Sequence, residues 1–361
     1  MNDTQHGHLL LADISGYTSY VATTELTHSQ EILTELLETI IAKFKPLLTI
    51  SKIEGDAVFA YVSETKVSRG EAILELIEST YMAFRSRQEA AHRRTTCTCN
   101  ACRNIPNLDL KFFAHHGDYF IQEISGTKEL VGSDVNLIHR LTKNHLSEQT
   151  GWRAYAMFTE QSLSHLNLQL EGLHKSTENY EHLGDTQVLS MDMRVRYKEL
   201  MDARHVVITP KEAHHIVEYD YNAPPQIVWE WFNDPHKRGQ WMMSEIVPVL
   251  SAKGRSGVGG RNHCVHGDKQ IVVEDVLDMR PYDYFTVSHT PQGTSNVLLM
   301  TYEFKPIDNA KTHFRLLFKG KFPYMPQWLE KIMCNYILRV QLFKVWKLES
   351  INELMLTSVV E

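Results

Sequence analysis

The chain has 361 residues, 43% hydrophobic and 22% charged, with a formal net charge of −7. That length suggests two domains, and the composition is that of an ordinary soluble globular protein. The negative balance speaks against a nucleic-acid binder, and no apolar run approaches the length of a membrane helix. The opening MNDTQHGH lacks the basic and apolar regions of a secretory signal. Five cysteines, three of them within six residues, are not a disulfide framework. A reducing cytoplasm is therefore the expected compartment.

Residues 9–12 read as a short buried strand ending at Asp13, followed by a Ser-Gly turn. Residues 27–44 read as a helix, with Ile32, Leu33, Leu36, Leu37, Ile40 and Ile41 at three- and four-residue spacing, and Pro46 marks its end. The apolar runs 47–53 and 57–62 flank Glu54, Gly55 and Asp56, which is a hairpin signal. If the first strand lies beside this hairpin, Asp13 and Asp56 converge. Two carboxylates at strand ends suit a hard, oxygen-ligated cation such as magnesium. Taken singly, Asp13 reads equally well as a helix cap and Asp56 as a turn residue.

A second helix is expected over 71–87, with a basic end that complements its dipole. Cys97, Cys99 and Cys102 then form a C-x-C-x2-C cluster. It offers three soft ligands, with His92 as a fourth for a structural zinc ion. The spacing is not that of a standard zinc finger, and free thiols in a surface loop are the competing reading. Strands at 108–115 and 119–124 follow. The helix after Gly132 carries Asn136 and Arg140 four residues apart, on one face. Strands at 155–158 and 187–191 complete a mixed α+β layer of one sheet with helices on it.

The charged stretch 194–211 reads as the junction. Beyond it come a strand at 213–221, a helix opened by Pro224 and Pro225, several strand-like runs, and a closing helix. The closing helix has an apolar stripe through Leu329, Ile332, Met333, Tyr336, Ile337, Val340, Phe343, Trp346 and Ile351. Trp229, Trp231, Phe232, Trp241, Tyr284, Phe285, Phe304 and Phe314 read mainly as core. Gly254, Gly257, Gly259 and Gly260 lack a following Gly-Lys-Ser/Thr, so they suggest a turn and not a phosphate loop.

Two parts of the chain resemble known families. DISGYT at 13–18 followed by KIEGDAVFAY at 52–61 resembles the metal-binding core of the class III nucleotidyl cyclases. Residues 110–141, ending in VNLIHR and a leucine, resemble the cyclase block that closes in a VN-x-x-x-R helix. The three blocks stand in the family's order and cover roughly the first half of the chain. The likeness is nearest to a bacterial branch sharing the ELTHSQEILTELLE helix, the CTCNAC segment and LDLKFFAHHG. NAPPQIVWEWFNDPHKRGQWM at 222–242 resembles the opening of the START and Bet v 1-like superfamily, the polyketide cyclase or helix-grip fold.

These resemblances imply an α+β architecture: a ferredoxin-like cyclase sandwich over 1–193, a linker over 194–211, and a START-like domain over 212–361. They imply that a nucleoside triphosphate is converted to a 3′,5′-cyclic nucleotide and pyrophosphate with two Mg2+ or Mn2+ ions. Asp13 and Asp56 take the metal roles, with the Ile14 backbone carbonyl beside them. Asn136 takes the ribose, and Arg140 the charge growing on the transferring phosphate. Lys52 and Glu129 stand at the base-reading positions. There a lysine donates to adenine N1 and a carboxylate accepts from its amine, which favours ATP, although the same pair serves guanine if swapped. A two-fold homodimer is implied, because the family's sites lie between two cyclase domains. A hydrophobic ligand is implied for the second domain.

One departure matters. The family's phosphate-binding lysine precedes a Gly-Asp, and this chain has YEHLGD there, with His182 the nearest substitute. A catalytically silent nucleotide- or lipid-sensing protein is therefore the alternative reading.

Overall fold

A computed structural model describes residues 4–94, 99–124, 126–202, 205–250, 257–266, 270–323, 325–338 and 346–357. The chain divides into two compact units, Met1–Asp202 and Ala203–Glu361.

The first unit is a sheet with helices on both faces. Its strands are β1 (Gln5–Ser15), β2 (Thr49–Glu54), β3 (Ala57–Ser63), β4 (Asp109–Ile124), β5 (Thr127–Val131), β6 (Tyr155–Thr159), β7 (His174–Tyr180) and β8 (Gly184–Asp192). Its helices are α1 (Tyr17–Thr23), α2 (Leu26–Phe44), α3 (Glu71–Arg94), α4 (Asn100–Asn104), α5 (Ser133–Leu141), α6 (Leu146–Thr150), α7 (Glu160–His165) and α8 (Met193–Asp202). The order across the sheet is β2-β3-β1-β4-β6-β8-β7, with β5 paired to β4. The inner strand β1 is antiparallel to both its neighbours, β3 and β4.

Successive side chains of a strand point to opposite faces. On β1, Leu9 and Leu11 join Phe59, Phe113, Ile138, Leu141 and Met157 in one core, under α5. His8, Leu10, Ala12 and Ile14 therefore belong to the other face. The apolar periodicity of α2 buries Leu33, Leu36, Ile40 and Phe44.

Three local features differ from the sequence reading. The strands expected at 108–115 and 119–124 are one continuous strand, β4. Gly117 does not interrupt it. A Cβ at that position would fall into the Asp134 carboxylate, so the glycine lets β4 pass beneath the start of α5. The stretch 194–211, read as a linker, begins as helix α8. Arg194 Nε donates to the buried Asp109 at 2.6 Å, and Arg196 Nε donates to the buried Glu78 at 2.7 Å. Pairing of this kind is what makes fully buried carboxylates tolerable.

The closing helix is the third. The second unit comprises β9 (His215–Tyr221), α9 (Pro225–Asn233), α10 (Pro235–Met242), β10 (Glu245–Leu250), β11 (Arg261–His266), β12 (Gln270–Arg280), β13 (Tyr284–Pro291), β14 (Val297–Pro306), β15 (Thr312–Lys321), α11 (Gln327–Ile337) and α12 (Ile351–Thr357). Its antiparallel sheet runs β10-β11-β12-β13-β14-β15-β9. Ile332 and Tyr336, assigned to a buried stripe, are exposed on α11, and Cys334 and Leu338 are buried instead. Val340, Phe343 and Gly254 lie outside the described residues. The aromatic residues pack as expected: Trp229, Phe232, Phe285, Phe304 and Phe314 are fully buried and touch ring to ring. Tyr284 departs from them, donating its hydroxyl to Asp278. Among the described residues, no helix is long and apolar enough to cross a membrane.

Candidate metal and nucleotide site

The end of β1 and the β2–β3 turn meet as the alternation of apolar and polar residues requires. β1 is buried from Gly7 to Ala12, and Asp13 follows, opposite Ala57 of β3 and Lys111 of β4. Gly55 holds a left-handed backbone, φ 65°, in the hairpin turn, and Asp56 follows it. The amide of Ile14 donates to the backbone carbonyl of Asp56 at 3.1 Å. That bond fastens the turn to the strand end and brings the two carboxylates together.

Their electrostatics carry the mark of the convergence. Burial, then the nearby Asp56, pushes the Asp13 carboxyl up to about 6, against the pull of Lys111 and Lys143. Burial also raises Asp56, against the pull of its own backbone amide and Lys143. Lys111 is lowered by burial, with Asp13 opposing. Two crowded carboxylates under strain against ionisation, with oxygen donors only, are a donor set that fits a hard divalent cation. The sequence reading missed Lys111 and Lys143. Lys111 is legible only once the register sets it across from Asp13, and Lys143 only once α5 ends beside β1.

A pH test follows. Asp13 holds its proton more tightly folded, at about 6, than unfolded, near 3.8. Its contribution to stability is then fully present below the unfolded value and lost as pH rises through 6. The loss is on the order of 3 kcal/mol. Chelator-treated wild type should therefore fall in Tm from pH 4 to pH 7 more steeply than Asp13→Asn. At pH 7.5 the variant should melt higher, and Mn2+ should raise the Tm of wild type only. Parallel pH profiles for the two proteins would remove the strained-carboxylate account.

The remaining predicted residues are distributed around β2, β5 and α5. Asn136 and Arg140 are both exposed on the same face of α5. The start of that helix is fixed by Asp134, which accepts from the Asp118 amide at 2.7 Å and lies 3.3 Å from the buried His115. Lys52 sits just beyond a bulge in β2 and pairs with Glu54 at 2.7 Å. Glu54 also reaches His139 Nδ1 at 3.2 Å. Glu129 is exposed on β5, opposite Gln122. His182 lies in the exposed β7–β8 turn, 3.5 Å from Glu181.

Of the cysteine cluster, two thiols and a different histidine come together. Cys97 lies outside the described residues. Cys99 and Cys102 lie together with His28, whose Nδ1 is 3.3 Å from Cys99 Sγ. His92, the imidazole assigned to this cluster from sequence, instead turns Nδ1 toward the Cys102 carbonyl oxygen at 3.4 Å. Chain proximity suggested His92, whereas the packing of α2 beside α4 supplies His28.

Residues 33–150 match a family model described as a protein of unknown function, DUF2652. Over 162 residues the chain is 28% identical to the uncharacterized protein Rv2561/Rv2562 of Mycobacterium tuberculosis, covering 45% of this chain and 73% of that relative. Among solved structures, a bacterial light-regulated adenylyl cyclase is similar over 54% of this chain, with 12% identity and a TM-score of 0.40. The chain spans about half of that cyclase, 53% of its length. The guanylyl cyclase Cya2 is similar over 52% of this chain and 92% of its own, with 13% identity and a TM-score of 0.42.

Proposed function

We propose that the first unit is a class III nucleotidyl cyclase domain that converts a nucleoside triphosphate, ATP by preference, to a 3′,5′-cyclic nucleotide and pyrophosphate. The observation that carries this reading is the convergence of Asp13 and Asp56 at the Ile14–Asp56 backbone bond, with Asp13 held near 6. The carboxylates of Asp13 and Asp56, with the Ile14 carbonyl, would hold Mg2+ or Mn2+. When bound, such ions neutralise phosphate charge and favour ionisation of the ribose 3′-hydroxyl.

The chain's own residues supply the rest. The bond that forms joins the ribose O3′ to the α-phosphorus. The bond that breaks joins that phosphorus to the oxygen leaving with pyrophosphate, and the hydroxyl proton passes to solvent. Asn136 orients the ribose. Arg140 donates to the phosphoryl oxygens as their charge grows. Lys52 and Glu129 read the base, with Lys52 released from Glu54 as the nucleotide enters. Lys143 and Lys111, whose charges already act on Asp13, take the part of the absent phosphate lysine at YEHLGD.

We further propose the division 1–193, 194–211 and 212–361, with the last part START-like. Its interior against α9 is closed by Trp229, Phe232 and Phe304, so a hydrophobic ligand there would have to displace aromatic rings. A structural Zn2+ on Cys99, Cys102 and His28 belongs to the same reading.

The second reading, nucleotide binding without turnover, is favoured by the exposed β7–β8 turn that carries no lysine. Purified protein given each of the four triphosphates, with Mg2+ and then Mn2+, separates the two. Cyclic product from ATP above GTP is the expected result. Saturable binding with no cyclic product from any triphosphate would leave only the sensor.

A further inference from the structure

On the face of β1 opposite the core under α5, and toward the other end of the strand from Asp13, three histidines meet. His8 of β1 stands directly opposite His116 of β4 in the antiparallel register, so both side chains share one face. His165 ends α7, whose start is capped by Thr159 Oγ1. One ligand nitrogen from each of the three lies within 4.8 Å of the others. The rings of His116 and His165 stack at 3.5 Å between centroids, and His8 meets both edge-on at 4.9 and 5.3 Å. Glu64, in the turn after β3, joins them: its Oε2 is 3.0 Å from His116 Nε2 and 3.4 Å from His165 Nε2.

Two observations point to a ligand and away from simple packing. His8 is 3% exposed, and its Nδ1 has no hydrogen-bond partner among the described residues. A buried, unpaired ring nitrogen is costly unless something binds it. His8 and His116 are also disfavoured as cations, and a metal ligand must be a neutral imidazole. Burial, then His116 and His165, pushes His8 down to about 3, and burial also lowers His116. His165 and Glu64 are partly exposed, which leaves an entry path.

We propose that His8, His116, His165 and Glu64 form a second metal site, for a borderline divalent cation of the zinc type. Three imidazole nitrogens and one carboxylate oxygen are a tetrahedral zinc set. With bonds of 2.0–2.1 Å, adjacent ligand atoms in such a site lie about 3.3 Å apart. The Glu64 contacts with His116 and His165, at 3.0 and 3.4 Å, are close to that spacing, and loading the ion would swing the two stacked rings apart and draw in His8, whose ligand nitrogen lies within 4.8 Å of theirs. The site would tie β1, β4, α7 and the turn after β3 together, on the face away from the aspartates. The nitrogen-rich set separates it chemically from the all-oxygen Asp13–Asp56 pair.

The test uses the full chain after chelator treatment, with excess Mg2+, in a Cys97→Ser/Cys99→Ser/Cys102→Ser background that removes the thiolate cluster. Zn2+ titration should show one equivalent bound at micromolar affinity or tighter. Co2+ should give a tetrahedral visible spectrum without the thiolate charge-transfer band. His116→Asn/His165→Asn should weaken Zn2+ at least a hundredfold, and Glu64→Gln at least tenfold. Asp13→Asn should leave Zn2+ affinity unchanged, within threefold. Circular dichroism and Tm guard against misfolding, and the partly exposed Glu64 gives a variant that leaves the core intact. No Zn2+ bound below 100 micromolar in the background protein, or affinity unmoved by both sets of variants, would overturn the site.

Discussion

Asp56→Asn should abolish cyclic-nucleotide formation, by at least a thousandfold in kcat/KM, while leaving the fold intact. The fold survives because the structural bond at this position uses the backbone: the Asp56 carbonyl accepts from the Ile14 amide, and asparagine keeps that carbonyl. On the proposed function the chemistry does not survive, because the substitution removes one of the two negative charges that would face the cation and leaves a neutral amide as a poorer ligand. A thousandfold loss corresponds to about 4 kcal/mol of transition-state stabilisation. Relief of the strain on Asp13 runs the other way for stability, since its nearest like charge has gone. The variant should therefore melt no lower than wild type without metal and should lose the Mn2+-dependent part of its triphosphate affinity. Steady-state cyclase assays and nucleotide titrations with and without Mn2+ provide the measurement. Unchanged Mn2+-dependent affinity would remove the two-carboxylate metal site from the account, whatever the turnover.

Much of this arrangement is legible in the sequence, for identifiable reasons. The β1 run LLLA is continuously apolar because it is covered on both faces, and a polar Glu-Gly-Asp between apolar runs leaves little but a hairpin. Asp13 and Asp56 follow from those two elements. Strand β7, HKSTENY, is illegible because it is the polar edge of the sheet, with Glu178 as its single buried residue. β4 reads as two strands because Gly117 resembles a break, and its real reason, the Asp134 carboxylate above it, is a tertiary fact. The same holds for every ligand brought in by packing. His28 is distant in sequence from Cys99, and His8, His116 and His165 come from three elements that only the register of β1 on β4 and the placement of α7 unite. Lys52 falls on β2, yet its pairing with Glu54 depends on a bulge that no alternation pattern announces.

Mixing two inactive variants, Asp13→Asn and Arg140→Ala, should restore activity to about a quarter of wild type if subunits exchange statistically. The charges acting on Asp13 in one chain are those of Asp56, Lys111 and Lys143. Arg140 is not among them, although it lies three residues before Lys143; it faces solvent with Asn136 on α5. On the proposed function, the arginine that meets the phosphate at Asp13 comes from a second copy. The surface near α5 is suited to one: Phe120 and Val131, cross-strand partners on β4 and β5, are 41% and 40% exposed, and Ile53 on β2 is 52% exposed. In a two-fold dimer, each site takes its aspartates from one subunit and its arginine from the other. Each homodimer of a variant then carries two broken sites. A heterodimer carries one doubly damaged site and one intact site, the latter using the aspartates of the Arg140 variant and the arginine of the Asp13 variant. Half of the dimers in a statistical mixture are heterodimers, and half of their sites work, which gives the quarter. Subunit exchange is verified by differently tagged chains. A mixture that stays inactive despite proven exchange, or a monomer that turns over substrate at the wild-type rate, would refute the shared site and return Arg140 to its own chain.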